Sequence, residues 1–167
     1  GARGFGNGLL IPAGPLRETI ARLDQVDAII VNGDIKNNSI KSNTYKTSMK
    51  LAGTQFSSLK HAQQTARAEN FHGKNIHAIA GIGNPARFFA HLKSLGLRCT
   101  EHAFPDHHIF NAEDIAFENA EVILMTEKDA VKCEPFATQH CWSLAVSAEL
   151  ENAFGQRILT RLKQAKE

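Results

Sequence analysis

Several features that would each direct a chain to one class of protein are scarce or missing in this 167-residue sequence. Its three cysteines, Cys99, Cys133 and Cys141, form no CxxC pair and leave an odd thiol. That pattern argues against a disulfide framework and for a reducing compartment, with each thiol read as a small buried hydrophobe. No stretch reaches the ~18 consecutive apolar residues of a membrane-spanning helix. The start, "GARGFGNG", lacks the charged and apolar regions of a signal peptide, so a soluble chain is expected. Nor is charge of one sign in excess: 19 Lys and Arg against 17 Asp and Glu give a formal net charge of +2, so a nucleic-acid partner is not expected and only local basic patches could serve phosphate or lipid. No internal repeat is visible. What is present, 43% hydrophobic and 22% charged residues, is ordinary for a globular protein long enough to bury a core, as one domain or one domain with an appended arm.

The first residues, "GARGFGNGLLIPAGPLRE", follow neither a helical nor a strand period and read as a loop-like arm over 1–26. "VDAIIVNG" is a β-branched run closed by Asn32 and Gly33, the pattern of a buried strand ending in a turn. Residues 34–47 read as a polar connection or exposed hairpin, "SMKLAG" as a short strand, and "SSLKHAQQTARAENFHG" as one weakly amphipathic helix. From residue 75 the pattern is regular. "NIHAIAGIG" is a strand, and "NPARFFAHLKSLG" a helix with Asn84 as N-cap, Pro85 at its first position, Gly96 just past its end and a core stripe of Phe88, Leu92 and Leu95. "LRCTEHAF" is the next strand, and "NAEDIAFEN" a short helix with Asn111 and Asp114 at capping-box spacing. "AEVILMTEKDAVKC" repeats the step from strand to helix, with Thr126 and Asp129 again at that spacing. "CWSLAVSAEL" reads as a last strand, and "ENAFGQRILTRLKQAKE" as a terminal helix with Phe154, Ile158 and Leu162 on one face. The alternation predicts an α/β domain over 27–167, a mostly parallel sheet flanked by helices.

In such a sheet ligands sit beyond the carboxyl ends of the strands. Four places qualify: Asn32-Gly33, "GIGNP", "FPDHH" and "TEKD". "GIGNP" offers amides and a helix dipole to an anion, or it merely starts a helix. "TEKD" could hold a phosphate with Lys128 as a point charge, or merely cap a helix with Thr126 and Asp129. For Asp106, His107 and His108 three readings stand. With His102 they supply metal ligands, although adjacent histidines point to different sides. Asp106 could cap a turn beside a buried histidine. Or a histidine acts as general base, its tautomer fixed by a carboxylate.

"RGFGNGLLIPAGPLRE", "VDAIIVNG", "HAIAGIGNPARFF", "HAFPDHHIF" and "ILMTEKDAVK" stand in an order and spacing that resemble the tetraacyldisaccharide 4'-kinases of lipid A biosynthesis, over nearly the whole chain. The resemblance implies a fold like that of P-loop nucleoside triphosphatases, with a nucleotide-binding N-terminal lobe and a smaller α/β C-terminal lobe. It implies transfer of the γ-phosphate of ATP, with Mg2+, to the 4'-hydroxyl of a tetraacylated disaccharide 1-phosphate at the cytoplasmic face of the bacterial inner membrane. The family's G-x-x-x-x-G-K-[ST] loop is not here; the one Gly-Lys pair, Gly73-Lys74, is followed by Asn75. The chain is therefore expected to be the C-terminal half, inactive alone, with 1–26 as the connection from a missing P-loop lobe that is its natural partner.

By the same resemblance a histidine of "FPDHH" forms a dyad with an aspartate of that lobe. His107 takes this role, with His108 as the alternative and Asp106 as orienting group. Arg17 would reach phosphate or substrate, and Glu18 a hydroxyl or magnesium-bound water, or the two would serve an inter-lobe salt bridge or a cap. Asn7 and Gly8 would line the cleft, Asn32 and Gly33 approach the adenine, and Asn84 and Lys128 bind nucleotide or substrate. Arg157, Arg161, Lys163 and Lys166, with Arg87, His91 and Arg98 along the earlier helix and just past its end, form either solvated faces or contacts to the inner-membrane surface. The competing reading of the whole chain is a non-catalytic Rossmann-like module that holds a nucleotide or sugar phosphate.

Overall fold

The computed structural model describes residues 4–32, 43–61 and 63–164, so Gly33, Lys166 and most of the polar connection lie outside the described residues. The chain divides into two units, Gly1–Leu51 with Ala148–Glu167, and Ala52–Ser147.

In the first unit the described arm is built of turns, with an isolated bridge between Leu10 and Leu16 and a 3-10 turn at Ile20–Asp24. Strand β1 (Ile29–Asn32) runs parallel to β2 (Lys46–Ala52), whose other neighbour is β9 (Ser147–Leu150). The first and third residues of β1, Ile29 and Val31, are buried. The terminal helix, numbered α3 (Asn152–Gln164), buries no residue fully. Phe154 stacks on Tyr45 with ring centroids 6.4 Å apart, Arg157 lies 4.8 Å from the same ring, and Arg161 Nη2 is 2.6 Å from Asp27 Oδ1. Leu162, expected on the core face with Phe154 and Ile158, remains 59% exposed, because the Tyr45 contact covers only the first turns of the helix.

The second unit carries the six-stranded sheet β4-β3-β8-β7-β5-β6, built from β3 (Gln55–Ser58), β4 (Thr65–Arg67), β5 (Ile76–Ala80), β6 (Thr100–Ala103), β7 (Val122–Thr126) and β8 (Cys141–Leu144). Its last four strands in that order are parallel, and β3 and β4 close the other edge antiparallel. All five residues of β7 are buried, as a strand covered on both faces requires. The period-2 alternation divides the core: Ala78, Ala80, Val122 and Leu124 face one cluster with Phe56, Phe71, Phe88, Leu92 and Trp142, while Ile79, Ile123 and Met125 face another with Phe110, Ile115, Cys133 and Cys141. Helix α1 (Pro85–Ser94) covers the first face and α2 (Glu127–Cys133) the second. Helix α1 keeps its expected punctuation: Asn84 Oδ1 accepts from Arg87 N at 3.3 Å, Phe88 and Leu92 are buried, and Gly96 at φ +81° lets Leu97 N reach Leu92 O at 3.2 Å. Burial pushes the Cys99 thiol up to about 11, with Glu101 adding to it, and the Cys133 thiol up to about 12, so both stay protonated at neutral pH.

Three expectations are overturned. The helix read over "SSLKHAQQTARAENFHG" is instead the β3–β4 hairpin and a 3-10 turn at Ala68–Phe71. Its weak amphipathic signal loses to the aromatic contacts of Phe71, whose centroid lies 5.1 Å from Phe56 and 5.3 Å from Trp142. The helix read over "NAEDIAFEN" is a single 3-10 turn, Glu113–Ile115, although its capping pair forms as expected. The last strand is two, β8 and β9, in different sheets; near the break Gly53 packs so closely on the Ala145 carbonyl that a Cβ would not fit.

Polar side chains also lie buried or half-buried within this unit. Asp129, fully buried in the first turn of α2, accepts Gly81 N at 3.1 Å and Thr126 Oγ1 at 2.7 Å on one carboxylate oxygen, which ties the end of β5 to the end of β7. Next to the sheet edge, His77 Nδ1 and His102 Nε2 are 3.0 Å apart, and both rings stack on Phe117 at 4.4 and 4.2 Å. Partial burial, then the neighbouring His77, hold the His102 imidazole below its ordinary 6.5.

Asp129→Ala orphans two buried donors, at roughly 1–3 kcal/mol each, and should lower the urea midpoint accordingly, with Asp129→Asn intermediate; an unchanged midpoint would contradict the tie. For His102, the unfolded chain takes up the proton near its ordinary 6.5 and the folded chain only at lower pH. The stability it confers is therefore complete above that value and lost as pH falls through it. Thermal scans from about pH 7.5 to about pH 5.5 should show Tm declining less in His102→Phe than in the parent; equal slopes would remove the assignment.

Candidate active site

Three of the four places expected to carry chemistry meet at one rim of the second unit. The 81–84 loop leaves β5, the 104–111 segment leaves β6, and α2 starts directly from β7, all at carboxyl ends of parallel strands. The loops touch: a Cβ on Gly83 would lie 3.3 Å from Asp106 Oδ2, and one on Gly81 3.0 Å from the Phe110 ring. Glycine at both positions lets the β5 loop close on the β6 segment.

Asp106 is the hub of the exposed part. Its Oδ1 lies 3.4 Å from Lys128 Nζ and accepts His107 N at 3.1 Å, and its Oδ2 is 3.8 Å from His107 Nε2. Desolvation works to raise its pKa, but the Lys128 and His107 charges and these hydrogen bonds prevail and hold its carboxyl below the usual range. His107 itself has φ +64°, and its side chain is 79% exposed. A non-glycine residue in the left-handed region costs on the order of 1–3 kcal/mol and persists only where its neighbours enforce it, a condition met often at functional sites.

The three histidines of "HAFPDHHIF" go to three environments. His102 pairs with His77, His107 turns to solvent, and His108 turns inward. The His108 ring lies 4.7 Å from Phe104 and 4.8 Å from Phe110, and its Nε2 is 2.9 Å from Asp114 Oδ2. Lys132 Nζ donates to the His108 carbonyl at 3.2 Å and sits 3.6 Å from Asp129 Oδ1, the oxygen that has no hydrogen-bond partner. The sequence does not single out Lys132, nor Asp114 beyond its capping spacing, and it marks Asp129 only as a cap and a member of "TEKD". The tie of Asp129 to Gly81 spans 48 residues, so no local signal announces it.

Of the other expected site residues, Asn84 caps α1 at this rim and Lys128 pairs with Asp106. Asn7, Gly8, Arg17, Glu18 and Asn32 belong to the first unit. Asn7 shapes a turn there, its Oδ1 accepting Leu9 N at 3.1 Å and its Nδ2 donating to Ala13 O at 2.9 Å. Gly8 has φ +77°, Arg17 is exposed, Glu18 pairs with Arg22 at 2.9 Å, and Asn32 ends β1. On α1, His91 is only partly exposed and its ring bonds the Gly53 carbonyl at 2.8 Å.

Chemically, the rim offers an exposed imidazole beside a carboxylate, an amine in a breakable surface pair, and rigid backbone beneath. Residues 1–163 match the family model described as tetraacyldisaccharide-1-P 4'-kinase. The tetraacyldisaccharide 4'-kinase of Methylobacillus flagellatus is 42% identical over 167 residues, covering 100% of this chain and 48% of that protein. That of Azoarcus sp. strain BH72 is 44% identical over 162 residues, covering 97% and 48%. The crystal structure of LpxK from Aquifex aeolicus in complex with ATP superposes with a TM-score of 0.67 at 22% identity, covering 93% of this chain and 48% of that one. This likeness establishes the α/β fold. The chain thus spans about half the length of the curated relatives it matches. With a match that takes in the arm, the converging loops and the terminal helix alike, the chain belongs to the tetraacyldisaccharide-1-P 4'-kinase family.

Proposed function

We propose that this chain is the C-terminal half of a kinase that moves the γ-phosphate of ATP to the 4'-hydroxyl of a tetraacylated disaccharide 1-phosphate, and that His107 is the base for that hydroxyl. The observation that carries the reading is the exposed His107 ring on a positive-φ bend at the strands' carboxyl ends, in a chain of this family. The ATP in the Aquifex aeolicus LpxK crystal supports the choice of phosphoryl donor.

In this reaction His107 accepts the hydroxyl proton on a ring nitrogen as the sugar oxygen bonds to the γ-phosphorus and the bond to ADP breaks. The Asp106 carboxylate, 3.8 Å from Nε2, stabilises the imidazolium that forms. The Asp106–Lys128 pair is half-exposed and screened by solvent, so Lys128 is free to turn to a phosphate oxygen. Among the described residues no group of three or more His, Cys, Asp or Glu side chains is arranged to hold a metal ion. Mg2+ would sit on carboxylates of the phosphate-loop half, which would also supply the aspartate that pairs with His107.

Residues 1–26 would lead from that half into the α/β domain of 27–167, with Asn7, Gly8, Arg17 and Glu18 toward the cleft and Asn32 and Gly33 toward the adenine. Attachment to the cytoplasmic face of the inner membrane belongs to the same proposal. No helix among the described residues is long and apolar enough to cross a membrane. On α3 Arg157 and Arg161 already serve Tyr45 and Asp27, so Lys163 with the exposed Leu159 and Leu162 is the surface that would meet lipid headgroups.

In the protein that joins this chain to its phosphate-loop half, His107→Ala should lower kcat by about 100- to 10,000-fold, the usual contribution of a general base, while KM for ATP stays within about twofold. Steady-state phosphate transfer measures both. Turnover equal to the parent's would remove the catalytic assignment.

A further inference from the structure

A positive-φ histidine is only as well placed as the residues on either side of it. His108, the next residue, is held at three of its polar groups. Its N donates to Pro105 O at 3.1 Å, its O accepts Lys132 Nζ at 3.2 Å, and its Nε2 bonds Asp114 Oδ2 at 2.9 Å. Its ring is packed on Phe104 and Phe110. Asp114 is fixed in turn, because Oδ2 also accepts Asn111 N at 3.0 Å and its own N donates to Asn111 Oδ1 at 3.2 Å. The chain between 108 and 114 is thereby closed into a loop by a carboxylate–imidazole contact whose two side chains are 18% and 26% exposed. The hydrogen bonds given for Asp114 go to His108 and Asn111, within this loop.

We infer that Asp114 is a positioning residue for the phosphoryl-transfer step: through its bond to His108 it locks the backbone that holds the His107 ring in its working direction. This rests on the reading of His107 as base. Partial burial opposes ionisation of Asp114, yet the hydrogen bonds from His108 and Asn111 prevail and keep it a carboxylate, so the lock is charged and stays made across the neutral range. The bond carries no proton to substrate. Its effect is geometric, and a misplacement of about 1 Å at the reacting group costs on the order of 100-fold in rate.

The test uses the assembled enzyme and a cycle of variants. Asp114→Ala should lower kcat by about 100-fold with KM for ATP within about twofold, and Asp114→Asn, which keeps an acceptor for His108, should recover about tenfold of that loss. His108→Phe retains the ring stack but not the bond, and should match Asp114→Ala, which keeps the test open should the alanine variant fail to fold. The deciding measurement repeats Asp114→Ala and His108→Phe in a His107→Ala background, where each should cost no more than about twofold further, because there is no imidazole left to position. Losses of equal size in both backgrounds, or parent-like kcat in Asp114→Ala and His108→Phe, would overturn the inference while leaving His107 as base. Parent-like kcat in His107→Ala alone would instead overturn the reading beneath it.

Discussion

Everything at this rim depends on one backbone constraint, a histidine held at φ +64° with its ring to solvent. That conformation disfavours folding by itself, so the surrounding contacts must supply the difference. On one side Asp106 receives the His107 amide; on the other His108 is held by Pro105, Lys132 and Asp114. Charge-assisted bonds of this kind are about twice as strong as neutral ones, and here they act within a few residues of the bend. The arrangement resists relaxation of His107 into the ordinary β or α regions, where its ring would point elsewhere.

Beneath the bend lies a sheet that cannot easily shift. β7 is buried along its whole length between parallel neighbours, and its alternate side chains pack into a separate core cluster on each face. Asp129 joins this rigid layer to the rim by taking the Gly81 amide and the Thr126 hydroxyl on one oxygen. The polar groups thus form a gradient, from the fully buried Asp129 through half-buried His108 and Asp114 to the exposed Asp106, His107 and Lys128. Rigid support below and adaptable charge above suit a reaction in which catalysis is mostly positioning.

Much of this architecture can be read from the residues themselves, wherever the information is local. Strands β5 and β7, the capped helix α1 and the start of α2 follow from apolar runs and caps that sit within a few residues of one another. The rule that loops gather at the strands' carboxyl ends brings "GIGNP", "FPDHH" and "TEKD" to one rim before any contact is known. Non-local information defeats the same reasoning. The segment ahead of Phe71 pairs as a hairpin, and Phe71 in the following 3-10 turn packs on Phe56 and Trp142, distant partners that no window of neighbouring residues reveals. The partners of the adjacent histidines are hidden for a similar reason: His107 and His108 are chemically identical, and only the left-handed turn and Asp114 tell them apart.

Imidazole nitrogen NMR on the assembled enzyme would show whether His107 meets the hydroxyl that reacts. Selectively labelled protein would be titrated with the tetraacylated disaccharide 1-phosphate in the presence of a non-hydrolysable ATP analogue. If His107 meets that hydroxyl, its ring resonances move on saturation, while those of the His77–His102 pair stay in place. A His107 signal unmoved at saturating substrate, in a preparation that turns over normally with ATP, would contradict it.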